Sequence, residues 1–414
     1  MKFGIHTLDD FDVRHKTVLC RIDINQPVDR ETGTLKSTAR IEACVPTIRE
    51  LSDKGARVVL MAHQGSDIEY KNYYTTRPHA AVLTALLQRP VRFIEDVCGP
   101  YAQEQIKSLR DGEILLLDNV RFLAEEQTLF ERSLHLSHDE QAKTLLVQKL
   151  APLGDLYVCD AFAAAHRDQP SLAGFEQLLP SAMGRLFEKE YCILSEMMES
   201  PKHPCVFLLG GAKVADAFLM MDSVLEKNIA DKILTGGLVA NILLFARGTD
   251  IGEASRNIIH KAGLDEYIQT GRELLNKYSE RIVLPEDLAC VLEGMRREAP
   301  VDAFPKEAPA IDIGASAAAH YAQQIQQAAT VFVNGPMGIF EEAPSEAGTR
   351  TVWHALGTTE AFTVVGGGDS ITASAKYGIT EKVSYICTGG GSLIRFLSGR
   401  ELPVVRALRE GAAR

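Results

Sequence analysis

The sequence predicts an α/β protein of two doubly wound lobes, each built on a mainly parallel sheet, joined by a linker helix. Three observations lead there. Short β-rich apolar runs alternate with helical patterns for nearly the whole length, which is the signature of repeated βαβ units. Most runs are apolar on both faces, as parallel strands covered by helices on each side must be. The 414 residues carry eleven such runs, more than one doubly wound sheet holds comfortably.

In chain order the expected strands are Thr17–Ile22, Arg57–Ala62, Val91–Ile94, Glu113–Asp118, Leu156–Asp160, Cys205–Leu209, Lys232–Thr235, Arg281–Leu284, Val331–Asn334, Phe362–Val365 and Val383–Cys387. The break between lobes is expected from Gly174 to Lys202. Leu178-Leu179-Pro180-Ser181 reads there as a helix start, a charged amphipathic helix follows to about Ser200, and Pro201 and Pro204 punctuate. The domains are therefore expected at 1–178, 179–200 for the linker helix and 201–395, with the tail 396–414 returning to the first lobe. A Pro- and charge-rich stretch, Arg296–Pro309, reads as a surface loop.

Composition narrows the function. With 46% apolar and 24% charged residues the chain has ample core for an ordinary soluble protein. A net charge of −11 argues against nucleic-acid binding as its main task. No apolar run approaches the roughly 18 residues that cross a membrane, and Met1-Lys2-Phe3-Gly4-Ile5-His6 lacks the apolar core of a signal peptide. The eight cysteines are scattered with no Cys-x-x-Cys pair, so free thiols in a reducing cytoplasm are expected. Neither a His-Glu-x-x-His zinc motif nor a Gly-x-Ser-x-Gly nucleophile elbow is present.

The most informative motif is Gly366-Gly367-Gly368-Asp369-Ser370, placed between the strand Phe362–Val365 and the opening of a small-residue helix. A glycine-lined helix N-terminus offers free N–H groups and a positive dipole end, which together favour a phosphate. Asp369 is a hard oxygen ligand suited to the Mg²⁺ that accompanies nucleotide phosphates. The motif is neither a Walker loop, since no Gly-Lys-Ser/Thr follows, nor the dinucleotide fingerprint, since Ile371 stands in place of the third glycine. As a bare turn with an N-capping Asp it would be structural. Three further strand ends in the same lobe carry glycines: Leu209-Gly210-Gly211-Ala212-Lys213, Thr235-Gly236-Gly237 and Asn334-Gly335-Pro336-Met337-Gly338, the last leading to Glu341. A weak internal echo links Ile233–Gly237, Phe245 and Gly248 to Ile386–Gly390, Phe396 and Gly399. Two such strand–Thr-Gly-Gly–helix units would face one crevice at the carboxyl ends of a sheet.

The first lobe gathers cations instead. Arg21, followed by Asp23 and Asn25, ends the first strand, Arg40 opens the next helix and His63 ends the second strand. Arg121 and Arg167 follow two later strands. Single arginines of this kind are usually surface ion pairs, but recurrence at one end of successive strands would collect them around a crevice. The planar guanidinium fork matches carboxylate and phosphate oxygens there.

These motifs, in this order and spacing, resemble the phosphoglycerate kinase family over essentially the whole length. The resemblance rests on Arg21-Ile22-Asp23-Ile24-Asn25-Gln26-Pro27, Asn119-Val120-Arg121-Phe122, Asp160-Ala161-Phe162 with Ala165-His166-Arg167, Gly210–Val214, Asn334–Gly338 with Phe340-Glu341, and Gly366–Ser370. Asp160–Arg167 and Leu234–Asn241 look most like the archaeal-type branch. The resemblance implies the family fold and reversible phosphoryl transfer between 1,3-bisphosphoglycerate and ADP, giving 3-phosphoglycerate and ATP. It places the glycerate on Asp23, Asn25, Arg40, His63, Arg121 and Arg167. It places Mg-nucleotide on Gly211, Lys213, Gly236, Gly237, Asn334, Pro336, Glu341, Gly366, Gly367, Gly368, Asp369 and Ser370, with Asp369 at the metal. Arg40, Lys213 and the amide near Gly367 would be the catalytic groups. The expected partners are the two small-molecule substrates, with no nucleic acid or membrane, in a monomer or weak homodimer.

Three departures from the family pattern stand out. His63-Gln64-Gly65-Ser66 lacks the family's arginine in that loop, Ala217 replaces a lysine, and Ser37-Thr38-Ala39-Arg40 replaces Asp-Asp-Thr-Arg. Arg77 or Lys71, in the unusual Tyr70–Arg77 segment, are candidates to replace the lost charge. The other readings are a kinase for a different acyl phosphate and a non-catalytic protein of the same fold. The second would be expected to have lost Lys213, Arg40 or Asp369, and all three are present.

Overall fold

A computed structural model describes residues 1–29, 31–65 and 73–414. Ser66, Tyr70 and Lys71 lie outside the described residues. The chain divides into two units, Met1–Ser195 with Glu401–Arg414, and Glu196–Arg400.

The sheet of the first unit uses β1 (Thr17–Arg21), β2 (Arg57–Met61), β3 (Val91–Phe93), β4 (Ile114–Leu116), β5 (Leu156–Cys159) and β6 (Ser181–Met183). Their order is β3-β4-β2-β1-β5-β6, and every pairing is parallel. Both faces are covered, so β1 and β5 are buried at every residue. The chain order reverses between β1 and β5. Residues just beyond the carboxyl ends of β1, β2 and β4 therefore share one rim.

The second unit contains β7 (Cys205–Leu209), β8 (Lys232–Thr235), β9 (Ile282–Val283), β10 (Asp287–Leu292), β11 (Met295–Pro300), β12 (Asp312–Ile313), β13 (Thr330–Asn334), β14 (Phe362–Gly366) and β15 (Tyr385–Cys387). Six of these form a parallel sheet in the order β15-β14-β13-β7-β8-β9. That is the order of the classical nucleotide-binding doubly wound sheet, with its switch point between β7 and β13. The echo noted in the sequence falls on equivalent pieces. β8 leads into the helix Gly237–Arg247 and β15 into the helix Gly390–Leu397, both in this sheet's helical layers.

All eleven expected strands are present, with ends trimmed or extended by a residue or two. Two expectations need correction. Ser181 does not open a helix: Ser181–Met183 is the edge strand β6, paired with β5, and the helix begins at Arg185. Its start is set by chemistry across the sheet. The Asp160 carboxylate accepts the N–H groups of Leu186 (2.9 Å) and Phe187 (3.2 Å). Arg185 is fixed by Asp9 and by Glu50 at 2.7 Å. The helix runs to Glu199, and its residues up to Ser195 belong to the first unit.

The Arg296–Pro309 stretch is not a plain loop. β11 spans Met295–Pro300 and forms, with β10 and β12, a three-stranded antiparallel sheet. The strand is polar and largely exposed, so it carries no apolar signal. Its Arg296 is anchored instead to the buried Asp312 at 3.0 Å. The tail helix Pro403–Ala412 packs in the first unit, where Glu410 meets His138 at 2.7 Å and Arg409 donates to the Tyr191 hydroxyl at 2.8 Å. The helix Gly390–Leu397, part of which was expected in the tail, belongs to the second unit.

Candidate active site

In the first unit the expected substrate residues lie beyond the carboxyl ends of β1, β2, β4 and β5, the last carrying Arg167, which pairs with Glu131 at 3.8 Å. Asp23 is 4% exposed; its Oδ2 takes a 2.6 Å ion pair from Arg40 Nη1, and its Oδ1 accepts the Asn25 N–H at 3.0 Å. Asn25 in turn accepts the Gly65 N–H through Oδ1 at 2.9 Å, tying this turn to the loop after β2. Asn119 closes the same loop, donating to Gln64 O (2.7 Å) and accepting the Arg121 N–H (3.0 Å). Arg121 donates to Gly65 O, while its buried Nε has no hydrogen-bond partner among the described residues. Ser37 Oγ accepts the Ala39 N–H at 3.3 Å, so the turn into the Arg40 helix is held by a hydroxyl where the family carries a carboxylate.

The electrostatics of this cluster are lopsided. His63 is held well below its ordinary pKa by burial, then by Arg121, Arg21, Arg40 and Arg167. Arg121 is lowered by burial and by Arg167 and Arg21. Four guanidinium groups thus act on one buried imidazole, an arrangement that an entering anion would relieve. Arg21 Nη2 lies 3.0 Å from His63 Nδ1. A guanidinium can only donate, so Nδ1 accepts and the ring proton sits on Nε2. Arg77 stands apart from the cluster: it pairs with Glu95 at 3.0 Å and its guanidinium lies 4.6 Å from the centre of the Phe93 ring.

The second unit holds a pocket of about 220 Å³ lined by Gly211, Lys213, Asn334, Gly367, Gly368, Asp369 and Ser370 among the expected residues. Three helices open onto it: Val214–Glu226 after Lys213, Gly368–Lys376 after Gly367, and Gly390–Leu397. Each delivers unsatisfied N–H groups and a positive dipole end. The turn of β7 presses on the turn of β13. A Cβ on Gly335 would lie 2.1 Å from Gly210 O, and φ there is +93°, so only glycine fits. Ser370 Oγ accepts the Gly335 N–H at 2.7 Å, which locks β13 to the helix at Gly368. Gly367, with φ +85°, lies against Asn334, whose buried Nδ2 has no hydrogen-bond partner among the described residues. Lys213 is exposed and is the one cation among the described lining residues.

The remaining expected nucleotide residues do not line this pocket. Gly236 and Gly237 pack behind it, Gly237 N–H donating to Met337 O at 2.7 Å, and Pro336 O accepts the Gly211 N–H at 2.8 Å. Gly366 ends β14 against Leu393, and Glu341 is exposed and away from the lining. Ala217 is buried within its helix and contributes nothing to the pocket wall. Sequence reasoning missed Asp216, Gly391 and Ile394 as lining residues. The Thr-Gly-Gly echo at Gly389-Gly390 was the available signal for the last two. No group of three or more His, Cys, Asp or Glu side chains among the described residues could hold a metal by itself.

Known proteins resemble this chain over nearly its whole length. Residues 8–400 match the sequence model of the family described as phosphoglycerate kinase. The chain belongs to the phosphoglycerate kinase family. It is 45% identical to the phosphoglycerate kinase of Methanothermobacter thermautotrophicus, covering 99% of this chain and 98% of that protein. It is 43% identical to that of Thermococcus kodakarensis, covering 97% and 96%. The crystal structure of the Pyrococcus horikoshii phosphoglycerate kinase superposes with a TM-score of 0.87 at 41% identity, over 99% of both chains. The Coxiella burnetii phosphoglycerate kinase gives 0.84 at 29%, covering 99% of this chain and 100% of that one. The chain is accordingly a phosphotransferase with a carboxyl group as acceptor. Its reaction is the family's reversible phosphoryl transfer between 1,3-bisphosphoglycerate with ADP and 3-phosphoglycerate with ATP.

Proposed function

We propose that the cationic cluster of the first unit holds 3-phosphoglycerate and that the three-helix pocket of the second holds the nucleotide. The observation that carries this assignment is the set of four arginines acting on neutral His63, with Arg121 Nε unpartnered among the described residues. Asp23 fixes Arg40, Asn25 fixes the Gly65 turn, and Arg121, Arg167 and the His63 Nε2–H are the donors to the glycerate oxygens. Gly367, Gly368 and Ser370 offer backbone N–H groups to nucleotide phosphates, Gly211 lines the turn beside them with its own N–H held by Pro336 O, and Asn334 Nδ2 adds a side-chain donor. Gly236, Gly237 and Pro336 shape the wall behind. Glu341 reaches the ribose only if the nucleotide extends beyond the pocket lining.

The acceptor carboxylate is already ionised at neutral pH, so no general base is required. Catalysis reduces to alignment and to spreading charge over the transferring phosphoryl. Lys213, Arg40 and the Gly367 amide are the groups proposed to do this. Because the two ligand sets belong to different units, transfer requires the units to bring their ligands together with water excluded. Mg²⁺ fits the donor set: Asp369 and Asp216 line the same pocket, and one or two carboxylates with phosphate oxygens satisfy its preference for hard ligands. When bound it would neutralise charge on the nucleotide phosphates.

We also infer a cytoplasmic protein, monomeric or weakly dimeric, with small molecules as its partners. Eight cysteines, none in a disulfide and seven of them buried, support a reducing compartment. No helix among the described residues is long and apolar enough to cross a membrane. The net charge of −11 favours small-molecule partners over nucleic acid. The assignment is tested by a coupled assay with 3-phosphoglycerate and Mg-ATP beside other carboxylate acceptors. Faster turnover of an acceptor without a distal phosphate would overturn it.

A further inference from the structure

Behind the cationic cluster lies a buried polar chain that the reaction itself does not call for. Glu126, 0% exposed, accepts the Ser171 N–H through Oε1 at 2.5 Å and the Ser171 hydroxyl through Oε2 at 2.7 Å. With its proton committed to Glu126, Ser171 Oγ is left to accept Arg21 Nε at 2.9 Å. Arg21, also 0% exposed, directs Nη2 to His63 Nδ1 and Nη1 to Ile22 O at 2.5 Å. Tyr157 completes the Ser171 shell by donating to its carbonyl at 2.8 Å. The members come from four separate segments: the turn at Ala124–Glu126, the helix Pro170–Ala173, the end of β1 and the loop after β2.

Full burial of a carboxylate and a guanidinium is costly for each ion, and the core could be filled with apolar groups at no loss of stability. What the chain supplies is direction. Each donor–acceptor choice forces the next, ending at an imidazole whose Nδ1 must accept and whose Nε2–H is therefore free to donate. Burial raises Glu126 to about 7, so above that pH its carboxylate, which can only accept, is also the buried counter-charge that both Arg21 and Arg121 experience. We infer that Glu126, acting through Ser171 and Arg21, is a positioning residue that fixes His63 as an Nε2–H donor to the bound anion. This rests on the reading of that cluster as the 3-phosphoglycerate site. It assigns Glu126 no contact with the substrate.

The test uses the full chain and two variants, Glu126→Gln and Ser171→Ala. The first readout is the ¹⁵N–¹H spectrum of the histidine rings without ligand, with His63 assigned by the signal lost in His63→Gln. In the wild type His63 should be the Nε2–H tautomer, and in either variant it should become a mixture of the two. The second readout is kinetic: KM for 3-phosphoglycerate should rise about tenfold, the scale of one charge-assisted hydrogen bond. Turnover and KM for ATP should stay within about twofold, as expected when ground- and transition-state binding are lost together. A lower unfolding temperature with an unchanged His63 tautomer and unchanged KM would make the chain structural and overturn the inference. If Glu126→Gln does not fold, Ser171→Ala carries the test with the carboxylate still in place. If the tautomer shifts but the wild type does not turn over 3-phosphoglycerate, the positioning role stands and the substrate assignment falls.

Discussion

In the first unit the groups that can meet an anion are side chains, and most are sunk into the protein. Arg21 is 0% exposed, Arg121 3% and His63 6%, and they crowd like charges together. In the second unit the equivalent groups are chiefly backbone N–H dipoles at three helix starts, reached through glycines that leave the pocket open. A helix N-terminus facing water is satisfied by water when no ligand is present, so the second site costs the fold little. Packed guanidinium groups are not so easily satisfied, and the first site needs buried supports such as Asp23 and Glu126. Function and stability should therefore be coupled in the first unit and separable in the second.

The strongest way to break this comparison is to remove one cation from each site. Arg40→Ala and Lys213→Ala should each lower kcat by about 10² or more, because each is proposed to act on charge that develops in transfer. Their effects on the fold should differ. Arg40→Ala strips the 4%-exposed Asp23 of its 2.6 Å partner and should lower the unfolding temperature. Lys213 has no ion-pair partner among the described residues, so Lys213→Ala should leave that temperature unchanged. Equal shifts in calorimetry would undo the contrast.

A smaller change tests separability directly. A Cβ on Gly368 would meet no protein atom within 4 Å, and its φ is outside the left-handed region, so Gly368→Ala should fold as the wild type does. The same methyl stands where phosphate oxygens would approach, and nucleotide affinity should fall about tenfold. Nucleotide binding as tight as in the wild type by titration calorimetry would mean that phosphate does not sit at this helix start. Asp369→Ala should do less to the bare protein and raise the Mg²⁺ concentration for half-maximal rate several-fold. An unchanged Mg²⁺ titration would remove Asp369 from the metal.

The same contrast explains what the sequence disclosed. Strands β1, β7 and β13 were legible because burial on both faces demands unbroken apolar runs. β11 was not, because an exposed edge strand is held by pairing and by Arg296–Asp312, which lie 16 residues apart. β6 is only three residues long and gives periodicity nothing to act on. Strand-end glycines and arginines were visible as local patterns. Glu126 and Ser171 were invisible, because a hydrogen bond across 45 residues leaves no local trace. Glu341 shows the reverse: a motif residue placed by resemblance stands exposed beyond the pocket lining.

The smallest predicted effect concerns pH, and it should again divide the units. Burial raises Glu126 and Asp160 to about 7 and lifts Glu176 well above the carboxylate range, all in the first unit. In the second unit burial raises Asp312 only to about 6. A carboxyl whose folded pKa is raised keeps its proton in the native state after the unfolded chain has released it. Stability is then lost as pH rises from the unfolded value through the folded one. His63 and His79, the latter lowered to about 4 by burial, act in the opposite sense, an effect that fades as pH passes the ordinary histidine value of about 6.5. Between pH 6.5 and 8 Glu126 and Asp160 should each remove about 1 kcal/mol of stability while each of the two histidines returns about 0.4 kcal/mol, so the carboxyls prevail. Asp312 has largely released its proton by then, so the second unit should be nearly flat. The single tryptophan, Trp353, is buried in the core of the second unit and reports its unfolding, while far-ultraviolet dichroism reports both units. Denaturant midpoints from the two signals should diverge as pH rises, with the tryptophan midpoint the steadier. Glu126→Gln should reduce the divergence by removing one of the three buried carboxyls. Midpoints that move together, or a first unit that gains stability from pH 6.5 to 8, would show that its buried carboxyls are ionised in the native state well below neutrality.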